Sequence, residues 1–544
     1  MPETDVAPWH ERYPQRLEWE KDQFLRHGFT VREEMEDGQL VFVIDLAIGD
    51  RSVPVRLRYP REFPEVHPTV FGPSPPMSRH QHPRSLNFCL GSEQGNWRPW
   101  ESGASLLVRL TDLLTANEQG DAALVHASEA EMPEPISAYL GERATRVMLV
   151  PDPFWTPELS VSCGSLRIGT IRGRAAALLI EVTGLGTAGA EVRTAFSQDG
   201  IEDGKWAACS ESLSGTETDE YLAQLAWIPR QPLSRDGGRT TLRHPRTPRW
   251  LGVTFMEEGP QRDQQRRNWI FLRGSGQPRT YQRFQAQAFN RLERDRRLPE
   301  MAGLHKRSGL LIGAGSLGSA IAVELVKAGI GHLTVVDHDI YDVNNSVRHV
   351  LPLLYAGANK AEALVDHCRR INVFTEVVAC TKSVGGSMLP RKLRALVATT
   401  DFTIDATGSG EITRLLSRTG QELSRPVLVA DLTPSAYGGE VVVGRPGGAC
   451  AYCFQLEQEA DRLPTPPSGP SSGVTPIGCA QPTFFGAGFE CSELAAVAAR
   501  MAVAECGEAG YPTLGYDWAV VSFRSTEHWQ SGLLDRSAEC PYHS

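Results

Sequence analysis

Residues 308–360 read SGLLIGAGSLGSAIAVELVKAGIGHLTVVDHDIYDVNNSVRHVLPLLYAGANK. An apolar strand is followed by the pattern Gly313-x-Gly315-x-x-Gly318 and an amphipathic helix, and a second apolar strand ends at Asp337. Glycines let the backbone approach a ligand closely, and the unpaired N–H groups at the start of a helix bind phosphate. The stretch therefore predicts a nucleotide-binding β-α-β unit.

A set of polar residues follows this unit. Asp339 comes two residues after Asp337, Asn345 and Arg348 are three residues apart, and Lys360 comes later. A hydride-transfer enzyme has no evident need for these residues here. An enzyme that releases pyrophosphate from ATP needs cations to stabilise charge on the phosphates. The set therefore favours ATP chemistry, and an NAD-dependent oxidoreductase is the alternative.

The pattern D-x-D-x5-N-x2-R…K resembles the ThiF-type adenylation domain of ubiquitin-activating enzymes and of their bacterial relatives, over about residues 299–544. The resemblance implies a Rossmann-like domain in which Asp337 binds the ribose and Asn345, Arg348 and Lys360 contact phosphates, with catalytic roles for Arg348 and Lys360. It also implies a homodimer, in which an arginine of 291–297 reaches the partner's ATP. The ATP-binding set that we expect is Gly313, Gly315, Gly318, Asp337, Asp339, Asn345, Arg348, Lys360 and Asp405.

The magnesium ligand departs from this family. Its members usually follow their fourth strand with Asp-x-x-Asp, and the second Asp binds Mg²⁺. Here the strand DFTIDATGSG offers Asp405, but Gly408 stands at the second position. The sequence leaves two alternatives, in which either Asp405 or another carboxylate such as Asp431 holds the ion.

The N-terminal region carries a second pattern. Residues 59–100 are proline-rich and contain His82-Pro83, Cys89-Leu90 and Trp97-Arg98-Pro99 in that order. The order resembles ubiquitin-conjugating enzymes over about residues 10–125. The resemblance implies that Cys89 carries an acyl group as a thioester, which an amine then attacks.

One position of this pattern differs. Arg84 stands where that family has the Asn of His-Pro-Asn. An amide or similar donor must stabilise the oxyanion of thioester attack. Asn87 is a candidate donor, and His80 or His82 is the alternative as donor or base.

Two short chelating pairs lie near the C-terminus. Cys450-x-x-Cys453 and Cys540-x-x-His543 have spacers that suit tetrahedral zinc. Adenylation relatives carry two such pairs in these places. We therefore predict that Cys450, Cys453, Cys540 and His543 bind Zn²⁺.

A Pro/Ser/Gly-rich segment separates the two pairs and contains Cys479, which precedes a helical pattern. In the resembling family the acyl-accepting cysteine occupies this place, so Cys479 is the predicted first acyl acceptor. Cys368, Cys380, Cys491 and Cys506 fall in apolar patterns and are expected to pack in cores.

The 544 residues are too many for one core and predict several domains, and the 41% hydrophobic content is ordinary for a globular protein. With the nucleotide-binding unit, we expect a multidomain α/β protein. We expect an α+β conjugating-like domain (1–145), a β-rich docking domain (146–275) and an adenylation domain (276–544). A basic helix is predicted at RFQAQAFNRLERDRRLPEM, 283–301. The net charge of −10 disfavours nonspecific binding to nucleic acid or an anionic membrane, and without a secretory or spanning pattern the expected location is cytoplasmic.

Together these patterns resemble the fused activating-and-conjugating enzymes of bacterial CBASS antiphage operons. The resemblance implies ATP, Mg²⁺ and Zn²⁺ as cofactors. It implies a ubiquitin-like protein or the C-terminus of a CD-NTase as the acyl donor, and a lysine-bearing target protein. A sulfur-carrier adenylyltransferase that makes a thiocarboxylate, and a non-catalytic scaffold, are further alternatives.

Overall fold

The computed structural model describes residues 7–77, 79–90, 97–120, 134–155, 158–226, 248–259, 264–276, 280–469, 486–507 and 511–543. They form two compact units. Unit 1 holds residues 1–189 and 196–289, and unit 2 holds residues 190–195 and 290–544. None of the described helices is long and apolar enough to cross a membrane.

Unit 1 begins with an antiparallel sheet in the order β1-β2-β3-β4. Its elements are the helices Trp9–Arg12, Pro14–Arg26 and Gly103–Gln119 and the strands β1 (Val31–Glu36), β2 (Gln39–Ile48), β3 (Arg51–Arg58) and β4 (Thr69–Phe71). In β2 the alternate residues Leu40, Phe42, Ile44, Leu46 and Ile48 are buried. The helix Gly103–Gln119 belongs to the same core, so this part of the unit has an α+β fold.

A larger sheet follows in unit 1. Its strands are β5 (Arg146–Pro151), β6 (Cys163–Ile171), β7 (Ala176–Val182), β8 (Gly186–Thr187), β9 (Gln198–Ala208), β10 (Trp250–Glu258), β11 (Gln265–Ser275) and β12 (Thr280–Phe289). Their order is β5-β12-β11-β10-β9-β6-β7-β8, and β5 also pairs with β7. That pairing closes seven of the strands into a ring around Trp206, Trp250 and Trp269. The helices Ile136–Gly141 and Asp219–Ala226 complete this part, in which strands predominate.

The helix predicted at 283–301 is wrong over its first half. Residues up to Phe289 belong to β12, and the helix that follows is only Arg291–Asp295. Phe284, Ala286 and Ala288 alternate with polar residues, which is the period of a strand. The boundary expected after residue 275 therefore lies between two paired strands of one sheet, and the division into three domains stays a prediction.

Unit 2 contains an eight-stranded sheet in the order β15-β14-β13-β16-β17-β18-β19-β20. The strands are β13 (Ser308–Ile312), β14 (His332–Val336), β15 (Glu376–Cys380), β16 (Phe402–Asp405), β17 (Val427–Leu432), β18 (Gly438–Gly444), β19 (Trp518–Ser522) and β20 (Trp529–Gly532). The helices are Ala190–Thr194, Arg291–Asp295, Ser316–Ala328, Lys360–Ile371, Pro390–Thr399, Gly410–Leu423, Ala451–Glu459 and Gly488–Glu505, with 3-10 helices at Pro299–Lys306, Val343–Val347, Leu353–Tyr355 and Pro541–His543.

The strands from β13 to β17 are parallel, and β13 lies between β14 and β16. The chain therefore reverses its direction of winding at β13. Open α/β sheets bind ligands at such a reversal, beyond the carboxyl ends of the strands. Gly313, Asp337 and Asp405 all stand at these strand ends. The predicted β-α-β unit and α/β fold are confirmed.

Candidate functional site

The glycine-rich loop after β13 is closed on one side and open on the other. Gly313 has a φ of +93°, and a Cβ there would lie 2.6 Å from the carbonyl oxygen of Ala406. A Cβ on Gly318 would lie 2.0 Å from the carbonyl oxygen of Gly313. A Cβ on Gly315 would meet no described atom within 4 Å. The loop therefore offers its backbone, at the start of the helix Ser316–Ala328, to a ligand.

Asp337 organises the polar residues around this loop. One carboxylate oxygen accepts the N–H of Ala314 at 2.7 Å, and the other accepts the N–H of Asp339 at 2.8 Å. The ammonium of Lys360 donates to the Asp339 carboxylate at 3.0 Å, and the Lys360 side chain is 14% exposed. The structure thus brings the predicted residues Asp337, Asp339 and Lys360 together beside the glycines, with the ammonium of Lys360 as the positive charge.

His349 is part of the loop's support, and sequence reasoning missed it. Its Nε2 hydrogen-bonds the carbonyl of Ala314 at 2.8 Å, and its Nδ1 accepts the N–H of Leu351 at 3.2 Å. Burial lowers the pKa of His349 to about 4, so the ring is neutral and donates through Nε2. Ala314 is therefore held on both sides, because Asp337 accepts from its N–H and His349 donates to its carbonyl. The only signal in the sequence was the position of His349 directly after Arg348.

Asn345 and Arg348 lie on the 3-10 helix Val343–Val347 and its C-terminal end. Asp342 caps this helix by accepting the N–H of Asn344 at 2.7 Å, and the N–H of Arg348 donates to the carbonyl of Asn345 at 3.0 Å. A Cβ on Gly488 would lie 3.5 Å from the Cα of Arg348. Arg348 therefore lies against the first turn of the helix Gly488–Glu505.

Asp405 is a poor fit for the first of the two magnesium alternatives. It is 1% exposed, and burial raises its pKa. One oxygen accepts from the backbone N–H and the hydroxyl of Thr407, at 3.0 and 2.7 Å, and the other accepts from the hydroxyl of Thr413 at 2.7 Å. These hydrogen bonds engage both oxygens and tie the loop after β16 to the following helix.

Asp431 is a better fit for the second alternative. A Cβ on Gly408 would lie 3.4 Å from one carboxylate oxygen of Asp431, so Asp431 occupies the neighbourhood of the Asp that the resembling family carries. Burial raises the pKa of Asp431 to about 6 and that of its cross-strand neighbour Glu440 to about 7. Carboxylates are the protein ligands that Mg²⁺ prefers. Asp431 stays a prediction as the ligand, now with geometry in its favour.

The four predicted zinc ligands converge. The Sγ atoms of Cys450 and Cys453 are 3.8 Å apart, those of Cys450 and Cys540 are 3.7 Å apart, and Nε2 of His543 is 3.0 Å from Sγ of Cys453. The ligand atoms of the four residues all lie within 4.8 Å of one another. Hydrogen bonding, chiefly with Cys450, lowers the pKa of Cys453 to about 4. This donor set and spacing fit a tetrahedral Zn²⁺ ion.

We predict one tightly held zinc per chain by elemental analysis, and its loss in Cys450→Ser and in Cys540→Ser. The unfolding temperature should fall with it, because a structural zinc stabilises only the folded state. The exposed Cys163→Ser is the matched control and should keep its zinc. Metal-free protein with an unchanged unfolding temperature would refute the site.

Cys89 is exposed, at the end of a tight loop in unit 1. Its N–H donates to the carbonyl of His80 at 2.8 Å, and the N–H of His82 donates to the carbonyl of Asn87 at 2.8 Å. Nδ1 of His82 accepts the N–H of Arg84 at 3.1 Å. Of the donor alternatives for the oxyanion, His82 is thus engaged within its own loop.

The other cysteines divide by burial. Cys368, Cys380, Cys491 and Cys506 are buried, as predicted, and burial raises the pKa of Cys491 to about 11. A buried thiol of this kind is a weak nucleophile. Cys479 lies outside the described residues, so its role stays a prediction.

Comparison with known proteins agrees with the fold of unit 2. The model of the ThiF family matches residues 289–509. This stretch holds β13 to β18, the glycine loop and the polar residues around it. Residues 289–509 are therefore similar to the ThiF family, whose adenylyltransferases use ATP and Mg²⁺.

Among the curated proteins that are similar to the chain, three cover different shares of it. The uncharacterized protein y4oA of Sinorhizobium fredii (strain NBRC 101917 / NGR234) is 26% identical, over 92% of this chain and 91% of that protein. The ATP-dependent ubiquitin transferase-like protein Cap2 of Enterobacter hormaechei subsp. hoffmannii (strain UCI 50) is 30% identical, over 36% of this chain and 28% of that protein. The adenylyltransferase and sulfurtransferase MOCS3 of Arabidopsis thaliana is 30% identical, over 33% and 39%.

Proposed function

We propose that this protein uses ATP to activate the C-terminal carboxylate of a partner protein and then conjugates it to a lysine. One observation carries the first step: Asp337, Asp339 and Lys360 meet beside the open glycine loop, within the segment that matches the ThiF family. Cations beside a phosphate site are what loss of pyrophosphate requires, because negative charge develops on the leaving oxygens.

The proposed steps each exchange one bond. The partner's carboxylate attacks the α-phosphorus of ATP and pyrophosphate leaves, with Arg348 and Lys360 stabilising its charge. The thiolate of Cys479 attacks the acyl carbon and AMP leaves. The acyl group passes to the thiol of Cys89, and finally a lysine amine attacks this thioester and releases the thiol.

The proposed partners rest on the resemblance to the fused CBASS enzymes. The acyl donor is a ubiquitin-like protein or a CD-NTase with an accessible C-terminus, and the acceptor is a lysine-bearing protein, in an antiphage role. The similarity to Cap2, a ubiquitin transferase-like protein, supports this class of donor. A homodimer that shares ATP contacts across its interface is part of the proposal, and sedimentation at micromolar concentration tests it.

A sulfur-carrier adenylyltransferase is the second candidate, because MOCS3 is similar over the adenylation segment. It would make a thiocarboxylate instead of a conjugate. Unit 1 favours the first candidate, since sulfur transfer needs no second acyl carrier, and Cys89 stands exposed there.

Calorimetric titration separates adenylation from the NAD alternative. We expect heat of binding with ATP and Mg²⁺ and none with NAD, because the site offers Lys360 to phosphates and no residue set for hydride transfer. Lys360→Ala should weaken ATP binding, whereas Lys327→Ala, a surface lysine paired with Glu324, should not. Saturable binding of NAD without ATP binding would overturn the assignment.

A further inference from the structure

The Cys89 loop contains two residues in a strained backbone conformation. His80 has a φ of +61° and Leu86 a φ of +63°. Residues with a Cβ seldom adopt this left-handed region, and they do so where surrounding contacts hold them. His80 begins the hairpin-like segment that ends at Cys89, and Leu86 lies within it, so the contacts that hold these two residues also place the thiol.

Glu134 holds the first strained residue. Its carboxylate accepts the backbone N–H of His80 at 2.9 Å, and it lies 3.1 Å from Nδ1 of the same ring. The His80 side chain is 9% exposed. The carbonyl of His80 in turn accepts the N–H of Cys89 at 2.8 Å. A change at Glu134 would therefore act on the backbone of Cys89 through a single intervening residue, His80.

Glu258, the last residue of β10, holds Glu134. Its carboxylate accepts the backbone N–H of Glu134 at 2.8 Å and both oxygens accept from one guanidinium nitrogen of Arg79, at 3.1 and 3.2 Å. The Arg79 and Glu258 side chains are 14% and 13% exposed. Charge-assisted hydrogen bonds with so little exposure are stronger than surface ion pairs.

The other side of the loop is held from the same part of unit 1. The guanidinium of Arg84 donates to the carbonyl of Gly215 at 2.6 Å, and Nε2 of His82 lies 2.5 Å from the carboxylate of Glu142. The ring of His82 also makes an edge contact with Tyr139, at 5.1 Å between centroids. The loop is thus bracketed on both sides by residues that follow position 133 in the chain.

We propose that the part of unit 1 that follows residue 133 belongs to the Cys89 site. In this proposal Glu134 and Glu258 are positioning residues, which place Cys89 for acyl transfer by holding the backbone of His80. The proposal rests on the proposed role of Cys89 as an acyl carrier. If this part of unit 1 served only for docking, its contacts could lie anywhere on the N-terminal part of the unit. The contacts instead converge on the strained backbone beside the thiol.

The test uses the full chain in a Cys479→Ala background, charged at Cys89 with a small peptide α-thioester, so that neither ATP nor the protein partner is needed. The single-turnover rate of discharge to free lysine is measured. Glu134→Ala and Glu258→Ala should lose about tenfold to a hundredfold of this rate, as for misplaced reacting groups. Glu134→Gln, whose amide oxygen still accepts from the N–H of His80, should recover most of it.

Glu181→Ala is the matched control, because Glu181 lies on β7 of the same unit and makes an exposed pair with Arg167. It should discharge at the wild-type rate. Every variant is assayed well below its own unfolding temperature, because Glu134→Ala and Glu258→Ala each remove charge-assisted hydrogen bonds of low exposure. Wild-type discharge in both Glu134→Ala and Glu258→Ala would overturn the positioning proposal and leave the acyl-carrier role standing. If the Cys479→Ala chain with no further substitution takes no acyl group at Cys89, or never discharges it, the carrier role and the positioning proposal are both overturned.

Discussion

Cys479→Ala is expected to form acyl-adenylate but no thioester at any position, and Cys89→Ala is expected to hold a reducible thioester at Cys479 without conjugating it. The reason is the order of the two thiols: the first captures the activated acyl group, and the second presents it to an amine. Both variants should therefore lose all conjugate, at different steps. A non-reducing gel with ATP and the proposed donor, a ubiquitin-like protein or a CD-NTase, reads the two outcomes.

The buried cysteines provide the control for this experiment. Cys491 is fully buried on the helix Gly488–Glu505, and Cys491→Ala should form thioester and conjugate as the wild type does. Cys163, exposed on β6, is the matched control for Cys89. Normal conjugation by Cys479→Ala, with loss of thioester in Cys491→Ala, would place the first acyl acceptor at Cys491.

Arg348→Ala and Lys360→Ala are each expected to slow ATP–pyrophosphate exchange by about a hundredfold to a thousandfold, since each removes one preorganised group that stabilises developing charge. Circular dichroism should remain that of the wild type, because neither side chain belongs to a core. Lys360 donates to Asp339, so Asp339→Asn should weaken the placement of the ammonium without removing it. We expect this variant to slow the exchange less than Lys360→Ala does.

Lys327→Ala is again the control, because it removes a surface lysine on the helix that follows the glycine loop. Its exchange rate should match the wild type. Near wild-type exchange in both Arg348→Ala and Lys360→Ala would show that these residues do not act on the phosphates.

The features that the sequence predicted well depend on local spacing. The glycine pattern, the apolar strands around it and Asp337 lie within one β-α-β unit, so their arrangement follows from neighbouring residues. The convergence of Cys450, Cys453, Cys540 and His543 was also predictable, because each chelating pair has its own short spacer. In both cases chemistry and distance along the chain specify the geometry.

The features that the sequence did not reveal depend on contacts between distant elements. Asp431 approaches Gly408 only because β16 and β17 pair in parallel, and His349 reaches Ala314 only after the chain folds back over the glycine loop. The Glu258–Glu134–His80 contacts join residues more than fifty positions apart. No periodicity or motif encodes such pairings.

The strand β12 was missed for a different reason. Its residues Arg283–Phe289 run directly into charged residues that favour a helix, and helix propensity outweighed their alternation in our interpretation. In the structure the guanidinium of Arg283 is buried and donates to Asp219 at 2.7 Å and to the carbonyl of Leu140 at 3.0 Å. These long-range partners stabilise an arginine within a strand that local propensity does not favour.

Dependence of ATP–pyrophosphate exchange on the C-terminus of the donor protein tests the central claim most directly. The wild-type chain is mixed with ATP, labelled pyrophosphate and the proposed donor, a ubiquitin-like protein or a CD-NTase, either intact or with an amidated C-terminus. The account predicts exchange with the intact donor and none with the amidated one, because only a free carboxylate can attack the α-phosphorus. Equal exchange with both donors, or no exchange with either, would contradict it.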